Sequence, residues 1–526
     1  MKTFYFGGTV LPLDGMSPAS GLVIEDGKIL AVGKQADLEP LAKDACRVDL
    51  EGRTLMPAFI DGHSHITALA QTLGLAQLSG CRNLEEVGQR LKDFRNRWKV
   101  PAGEWVIGFG YDQNDLKEHR HPTAQDLDTM LPDCPVMVTH ASGHMGTVNS
   151  LGLKTLGITK ETPDPEGGKI GRCEDGCPNG YLEEAAFTNM GSRIPRDPEA
   201  SLKNLSRAEE VYFSHGITTI HEGLMRQPEW ELLETASSRG LLRGDVAAYV
   251  DIKDSASLLE EHRDYLGTYR NRLKLAGYKL FLDGSPQGRT AWMTEPYQNG
   301  DPEYRGYPVH QDEQVLAFLE KAQREGVQIV THCNGDAAAE QLLRCYEQAY
   351  QKYHRDIRPV MIHAQLLRPD QVPKLRELSM IASFFVAHVY HWGDVHVENF
   401  GWERASQISP VKTALENGVI FDFHQDSPVI PPNMLETLSC AVCRCTKSGK
   451  ILGENQRITT AEALQAVTQN AAYALFEEEE KGTLSPGKRA DLVILDRDPL
   501  ACPPEELKDL RVMETIKDGK TVYKAD

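Results

Sequence analysis

No apolar run in the 526-residue sequence approaches the roughly 18 residues that a membrane-spanning helix needs. Its start, MKTFYFGGTVLPLDG, lacks the unbroken apolar stretch of a signal peptide, so the cytoplasm is the expected location. Positive charge is in deficit: 57 Lys and Arg against 76 Asp and Glu leave a formal net charge of −19. Such a surface repels phosphate backbones and anionic headgroups, which argues against nucleic-acid and membrane partners. The eleven cysteines are odd in number and lack the dense spacing of a disulfide scaffold. Cys440-Ala-Val-Cys443-Arg-Cys445 has no second ligand pair at zinc-finger spacing, and it reads, like Cys173 and Cys177, as unligated thiol. Missing too is any Ser-His-Asp or Cys-His pattern in a context suited to a nucleophile. The composition, 40% hydrophobic and 25% charged, is that of an ordinary globular enzyme.

The length exceeds what one hydrophobic core usually supports, so one large domain with attachments is expected. At the N-terminal end GLVIEDGKILAVG turns at Asp26-Gly27, and near the C-terminal end VMETIKDGKTVYKA turns at Asp518-Gly519. Both are hairpin patterns. Neither end can bury a core alone, and residues 1–55 with 475–526 are expected to combine into a small composite β-sandwich. Between them, residues 56–474 alternate β-branched runs with helical patterns, as in repeated βα units on a parallel sheet. Runs begin at Met56, Trp105, Val136, Ile217, Asp245, Leu275, Gln328, Pro359, Met380 and Val419. An α/β fold of the (β/α)₈ barrel type closes with eight. The runs at Trp105 and Val136 are therefore assigned to an insertion, at about 70–210, between the first and second barrel strands and over the active face.

Chemistry-bearing residues gather where these runs end. Asp61-Gly-His63-Ser-His65 follows the apolar MPAFI, and in extended backbone residues two apart point the same way, so both imidazoles can face one metal ion. Lys279 lies within YKLFLDG, His332 closes QIVTH, His363 closes PVMIH, and Asp426 follows FDFHQ. A lysine in a buried strand is costly unless paired or modified. Each of these residues alone is unremarkable; their joint occurrence at strand ends is the signal.

The segments PAFIDGHSH, YKLFLDGS, THCNGD, MIHAQ and HQDSPV, with the tail motifs ALQAVTQNAA and KGTLSPGKRADLVILD, resemble the amidohydrolase superfamily. The resemblance is to its family-3 branch of N-substituted formamide deformylase-like enzymes, and it covers nearly the whole chain. It implies metal ligands on barrel strands one (His63, His65), four (Lys279), five (His332), six (His363) and eight (Asp426). One or two divalent ions are expected, zinc first among them, with a carbamate on Lys279. The implied reaction is hydrolysis of a non-peptide C–N bond in an amide, formamide or cyclic amide by metal-activated hydroxide, with Asp426 moving the proton. Ester, lactone or phosphoester hydrolysis at the same site, or a non-catalytic regulator that keeps the fold, are the alternatives.

The resemblance also points to His144, beside Gly143 and Asn149-Ser150, as substrate-binding. His388, just beyond strand seven, is a second candidate for a substrate carbonyl, although His391 and His396 crowd the same segment. Asp283 and Asp336 read as loop-capping or ligand-orienting groups. Tyr111, Trp292, Phe385, Tyr390 and Trp392 are candidates for an aromatic pocket. Glu477 to Glu480 reads as a solvated surface. The expected partner is a small-molecule substrate, and a homodimer is left open.

Overall fold

Eight parallel strands, hydrogen-bonded in chain order, form the sheet on which the site stands. Within it β1 is Phe59–Ile60, β2 Ile217–Met225, β3 Asp245–Asp251 and β4 Leu273–Phe281. Then come β5 Gln328–Cys333, β6 Val360–His363, β7 Ile381–Phe384 and β8 Phe421–Phe423. Helices such as Gln227–Ser238, Asp312–Glu325 and Val372–Glu377 lie between successive strands, so the architecture is mixed α/β. The computed structural model describes every residue except 16, 167, 188–197 and 299–300. Two compact units emerge, Met1–Leu69 with Ser206–Asp526, and Ala70–Leu205. Among the described residues no helix is long and apolar enough to cross a membrane.

Side-chain alternation explains why the sheet is apolar through its body and polar at one end. Ile60, Ala247, Tyr249, Val330, Val360, Ile362 and Ile381 pack into one core cluster with Ala471, Ala472 and Leu475. On β5, Val330 and His332 are two residues apart and share a face, so the face that is apolar within the sheet carries an imidazole at the strand's C-terminal end.

The run at Met56 does not enter this sheet whole. Thr54–Pro57 pairs antiparallel with Leu492–Leu495, and only Phe59–Ile60 joins β2. Pro57 has no N–H to give to a ladder, which suits a strand that ends there and hands the chain on. Thr54–Pro57 thus belongs to a second eight-stranded sheet that draws strands from both ends of the chain. Its two Asp-Gly hairpins have both central residues in the left-handed region: Asp26 (φ 50°) with Gly27 (79°), and Asp518 (48°) with Gly519 (73°). That is the geometry a right-handed twist demands of a two-residue turn. Leu22, Ile24, Leu55, Leu492, Ile494 and Ile516 fill its core.

Buried charge joins the two sheets. Lys517 of the end sheet meets Asp491 (2.7 Å) and Asp245, the first residue of β3 (2.6 Å). Lys481 joins Asp245 (2.7 Å) to Glu477 (2.6 Å), and Lys274 also pairs with Glu477. This corrects the reading of residues 477–480 as a solvated surface: Glu477 is buried between two buried lysines, while Glu478 and Glu480 pair with Arg358 and Arg489. Removing one member would strand an uncompensated buried charge.

The second unit, described by itself, holds a six-stranded sheet. Its strand order is Gly168–Arg172, Pro178–Glu184, Met145–Val148, Val136–His140, Val106–Tyr111, Ala76–Gln77. The runs at Trp105 and Val136 lie here. Residues 188–197 of the expected insertion fall outside the described residues.

Candidate metal centre

Beyond β1 the chain leaves the sheet as Asp61-Gly62-His63-Ser64-His65, and a web of bonds fixes this loop. The Asp61 carboxylate accepts from His63 N (3.2 Å) and from the Ser64 hydroxyl, and the Tyr212 hydroxyl donates to Ser64 Oγ (2.7 Å). There is no room for a side chain at Gly223, where a Cβ would lie 2.1 Å from His63 Cε1. His63, buried, and His65, partly exposed, bring their Nε2 atoms to 3.6 Å and 3.3 Å from Asp426 Oδ1. One ligand atom from each of the three lies within 4.8 Å of the others.

Three more side chains sequence reasoning singled out stand beside this group. Lys279 of β4 is fully buried, with Nζ 3.0 Å from His63 Nε2. His332, one residue before the end of β5, and His363, the last residue of β6, face each other, Nδ1 to Nε2, at 3.0 Å. His332 Nε2 lies 3.0 Å from Asn334 Nδ2 and 3.2 Å from the Gly284 carbonyl oxygen, to which Asn334 Nδ2 donates (2.8 Å). The rings of His63 and His363 are 6.1 Å apart, so all six residues form one cluster.

The backbone is bent to achieve this. His363 (φ 73°), Ala364 (47°) and Asp426 (53°) occupy the left-handed region. Non-glycine residues pay for that conformation, and such strain collects where function holds a side chain in place.

The electrostatics match. Burial, then the charge of Lys279, pushes His332 down to about 4 and His63 well below the usual imidazole range. Burial pushes Lys279 down to about 7. Burial would raise Asp426, but His65, His424 and Lys279 around it hold its carboxyl well below the usual range. His65 goes the other way: burial lowers it, yet Asp426 and Glu222 outweigh this and raise it to about 9.

These residues fit a divalent cation. Imidazole nitrogens and a carboxylate converge on one place, and Asp426 Oδ1 is buried without a well-formed hydrogen bond among the described residues. Imidazole and carboxylate are ligands of zinc, manganese and iron.

Two residues that sequence reasoning passed over complete the surroundings. Glu222 on β2 is buried, accepts from Thr67 N (3.0 Å), and stands 3.6 Å from His65 Nδ1. Carboxylates placed so against a ligand imidazole fix its orientation. His424 links His363 Nδ1 (3.1 Å) to Ser383 Oγ (2.9 Å). Glu222 announces itself only as a carboxylate inside the strand ITTIHEGLM, and His424 only as a histidine two residues before Asp426.

The remaining expectations divide. His388 is buried at the start of helix His388–Ala405, beyond β7, with its ring 4.5 Å from that of Phe385, which itself lies 6.2 Å from the ring of His363. His144 belongs to the second unit, where its exposed ring pairs with Glu184 (3.1 Å). Asp283 caps a loop, accepting from Asn334 N, Gly335 N and Trp292 N at 3.0, 2.7 and 3.0 Å. Asp336 does the same for Thr294. Of the aromatic candidates, Phe385 and Trp392 pack on His388, at 4.5 Å between rings for each; Tyr390 is partly exposed, and Tyr111 lies in the second unit.

Comparison with known proteins adds to this geometry. The amidohydrolase family profile matches residues 47–523. N-substituted formamide deformylase of Arthrobacter pascens is 28% identical, over 96% of this chain and 95% of its own. Protein LONG AFTER FAR-RED 3 of Arabidopsis thaliana is 31% identical, over 98% and 90%. A solved metal-dependent hydrolase from Pyrococcus furiosus superposes with a TM-score of 0.76 at 28% identity, covering 95% of this chain and all of that one.

Proposed function

The chain belongs to the amidohydrolase family, and we propose that it hydrolyses the C–N bond of a small non-peptide amide, formamide or cyclic amide. One observation carries the reading: His63, His65 and Asp426, brought from the ends of β1 and β8, offer three ligand atoms within 4.8 Å, with Lys279, His332 and His363 beside them. The order of the eight parallel strands supports closure into a (β/α)₈ barrel, the sheet shared by the two chain ends supports their forming one composite β-domain, and residues 70–205 are read as an insertion. In this reading His63, His65 and Asp426 hold one divalent ion, zinc by ligand type, and His332 and His363 hold a second. Held there, a divalent cation lowers the pKa of a water and polarises a substrate carbonyl as a Lewis acid.

The protein's own side chains do the rest. Asp426 keeps its carboxylate ionised through the neutral range, so an Oδ atom can accept the proton of the attacking water and return it to the departing nitrogen. Glu222 holds His65, and His424 holds His363, each by the ring nitrogen turned away from the centre. His388, whose ring packs beside that of Phe385, binds the substrate carbonyl in this reading. The name of the Arthrobacter relative, N-substituted formamide deformylase, supports a formyl or short acyl group on the substrate nitrogen.

The test is a panel of N-formyl, N-acyl and cyclic amides set against esters, lactones and phosphoesters of matching shape, offered to zinc-loaded protein. Release of free amine from at least one amide class, faster than hydrolysis of its ester counterpart, is the expected result. Turnover confined to esters or phosphoesters would reassign the scissile bond.

A further inference from the structure

His388 and His396 lie on one helix with their rings nearly parallel, 5° between planes and 5.3 Å between centroids. His388 Nδ1 and His396 Nε2 are 3.1 Å apart. Both rings are buried, His396 completely and His388 at 4% exposure. The neighbouring histidine of this segment, His391, has an acid partner in Glu436 (2.8 Å). The bond between His388 and His396 is instead imidazole to imidazole, and burial pushes both rings below the usual imidazole range, so both are neutral near pH 7.

Two neutral imidazoles that share a hydrogen bond hold one proton between the facing nitrogens, and the position of that proton decides everything beyond it. If His388 Nδ1 carried it, His396 would bear its own proton on Nδ1. That atom is buried and has no hydrogen-bond partner among the described residues. An orphaned buried N–H is rarer and costlier than a bare acceptor lone pair. The other arrangement has His396 Nε2–H donating to His388 Nδ1, with an unshared lone pair left on His396 Nδ1. His388 must then carry its proton on Nε2.

We propose that His396 is a positioning residue that fixes this tautomer, so that His388 presents a neutral Nε2–H as the donor to the substrate's carbonyl oxygen. The inference rests on the amide-hydrolase reading for the identity of the acceptor, but not for the tautomer. Placement supports it: His388 follows the C-terminal end of β7, and the Phe385 ring beside it also lies 6.2 Å from His363 and 5.2 Å from His424. A neutral imidazole kept as donor suits charge that develops on oxygen during attack, because it is in place beforehand and needs no reorganisation.

The experiment is a two-bond proton–nitrogen correlation on the whole zinc-loaded chain with labelled histidine rings, joined to kinetics on the best amide of the panel. In the wild type His388 should show a protonated Nε2 and an unprotonated Nδ1. His396→Phe should release it to a mixture of tautomers and lower kcat about tenfold with little change in KM. His396→Gln, whose amide N–H can reach His388 Nδ1, should recover most of both. His388→Ala should cost about 10²-fold in kcat, as loss of one oxyanion donor does. A wild-type His388 protonated on Nδ1 overturns the proposal whatever the variants do, and wild-type kcat in His388→Ala overturns the substrate contact. Failure of the wild type on every amide would instead strike the function while leaving the tautomer measurement standing.

Discussion

Asp426→Asn should lower kcat by about 10²–10⁴-fold, the usual range for losing general acid–base catalysis, while the protein stays folded and keeps its metal. The substitution is chosen for the backbone as much as for the chemistry. Asp426 sits at φ 53°, and asparagine is among the few residues that tolerate the left-handed region, so the loop after β8 should hold. The amide oxygen can still face His63 and His65, which stand 3.6 and 3.3 Å from the carboxylate it replaces. What disappears is the anion able to take a proton from water and pass it to nitrogen. Steady-state kinetics on a metal-loaded variant, with metal content measured in the same sample, gives the answer. A variant that binds metal and works near the wild-type rate would leave Asp426 a ligand without a proton to move.

The second large effect is expected at Lys279. Its amine is fully buried, 3.0 Å from the Nε2 atom of His63 that the account gives to a metal. Once that lone pair is engaged, an ammonium group would lose its acceptor and face like charge, and it has no lone pair of its own to offer. Addition of carbon dioxide to the free amine, with loss of one proton, would form an N–C bond and turn the side chain into a carbamate, whose oxygens would be suited to holding divalent cations. Lys279→Ala, prepared without carboxylic acids, should therefore lose nearly all activity and one equivalent of metal. Propionate or another short carboxylate should restore part of both by filling the vacated space. Undiminished activity without added carboxylate would refute the carbamate, and so would electron density for a bare amine beside one fully occupied metal.

Much of the sheet could be read from residues near in sequence. QIVTH and PVMIH are runs of the type that build central parallel strands, each closed by a histidine, and they are β5 with His332 and β6 with His363. The two Asp-Gly hairpins were equally plain, because a two-residue turn and its flanking strands are local. What stayed hidden depends on partners far along the chain. Glu477 looks like one member of an acidic run until Lys274, 203 residues earlier, is folded against it. Glu222 and His424 acquire a role only when His65 and His363 are brought to them. The run at Met56 looked like one strand, since pattern alone cannot show that Pro57 marks the crossing from one sheet to the next.

Stripping the protein with a chelator asks whether this cluster of histidines, lysine and aspartate works by holding a divalent ion. Metal content by mass spectrometry and turnover of the preferred amide would be followed together as zinc is returned. Turnover should fall with the metal and rise in proportion to the ion rebound, and His63→Ala with His65→Ala should prevent the recovery. Full turnover by protein shown to contain no metal would contradict it.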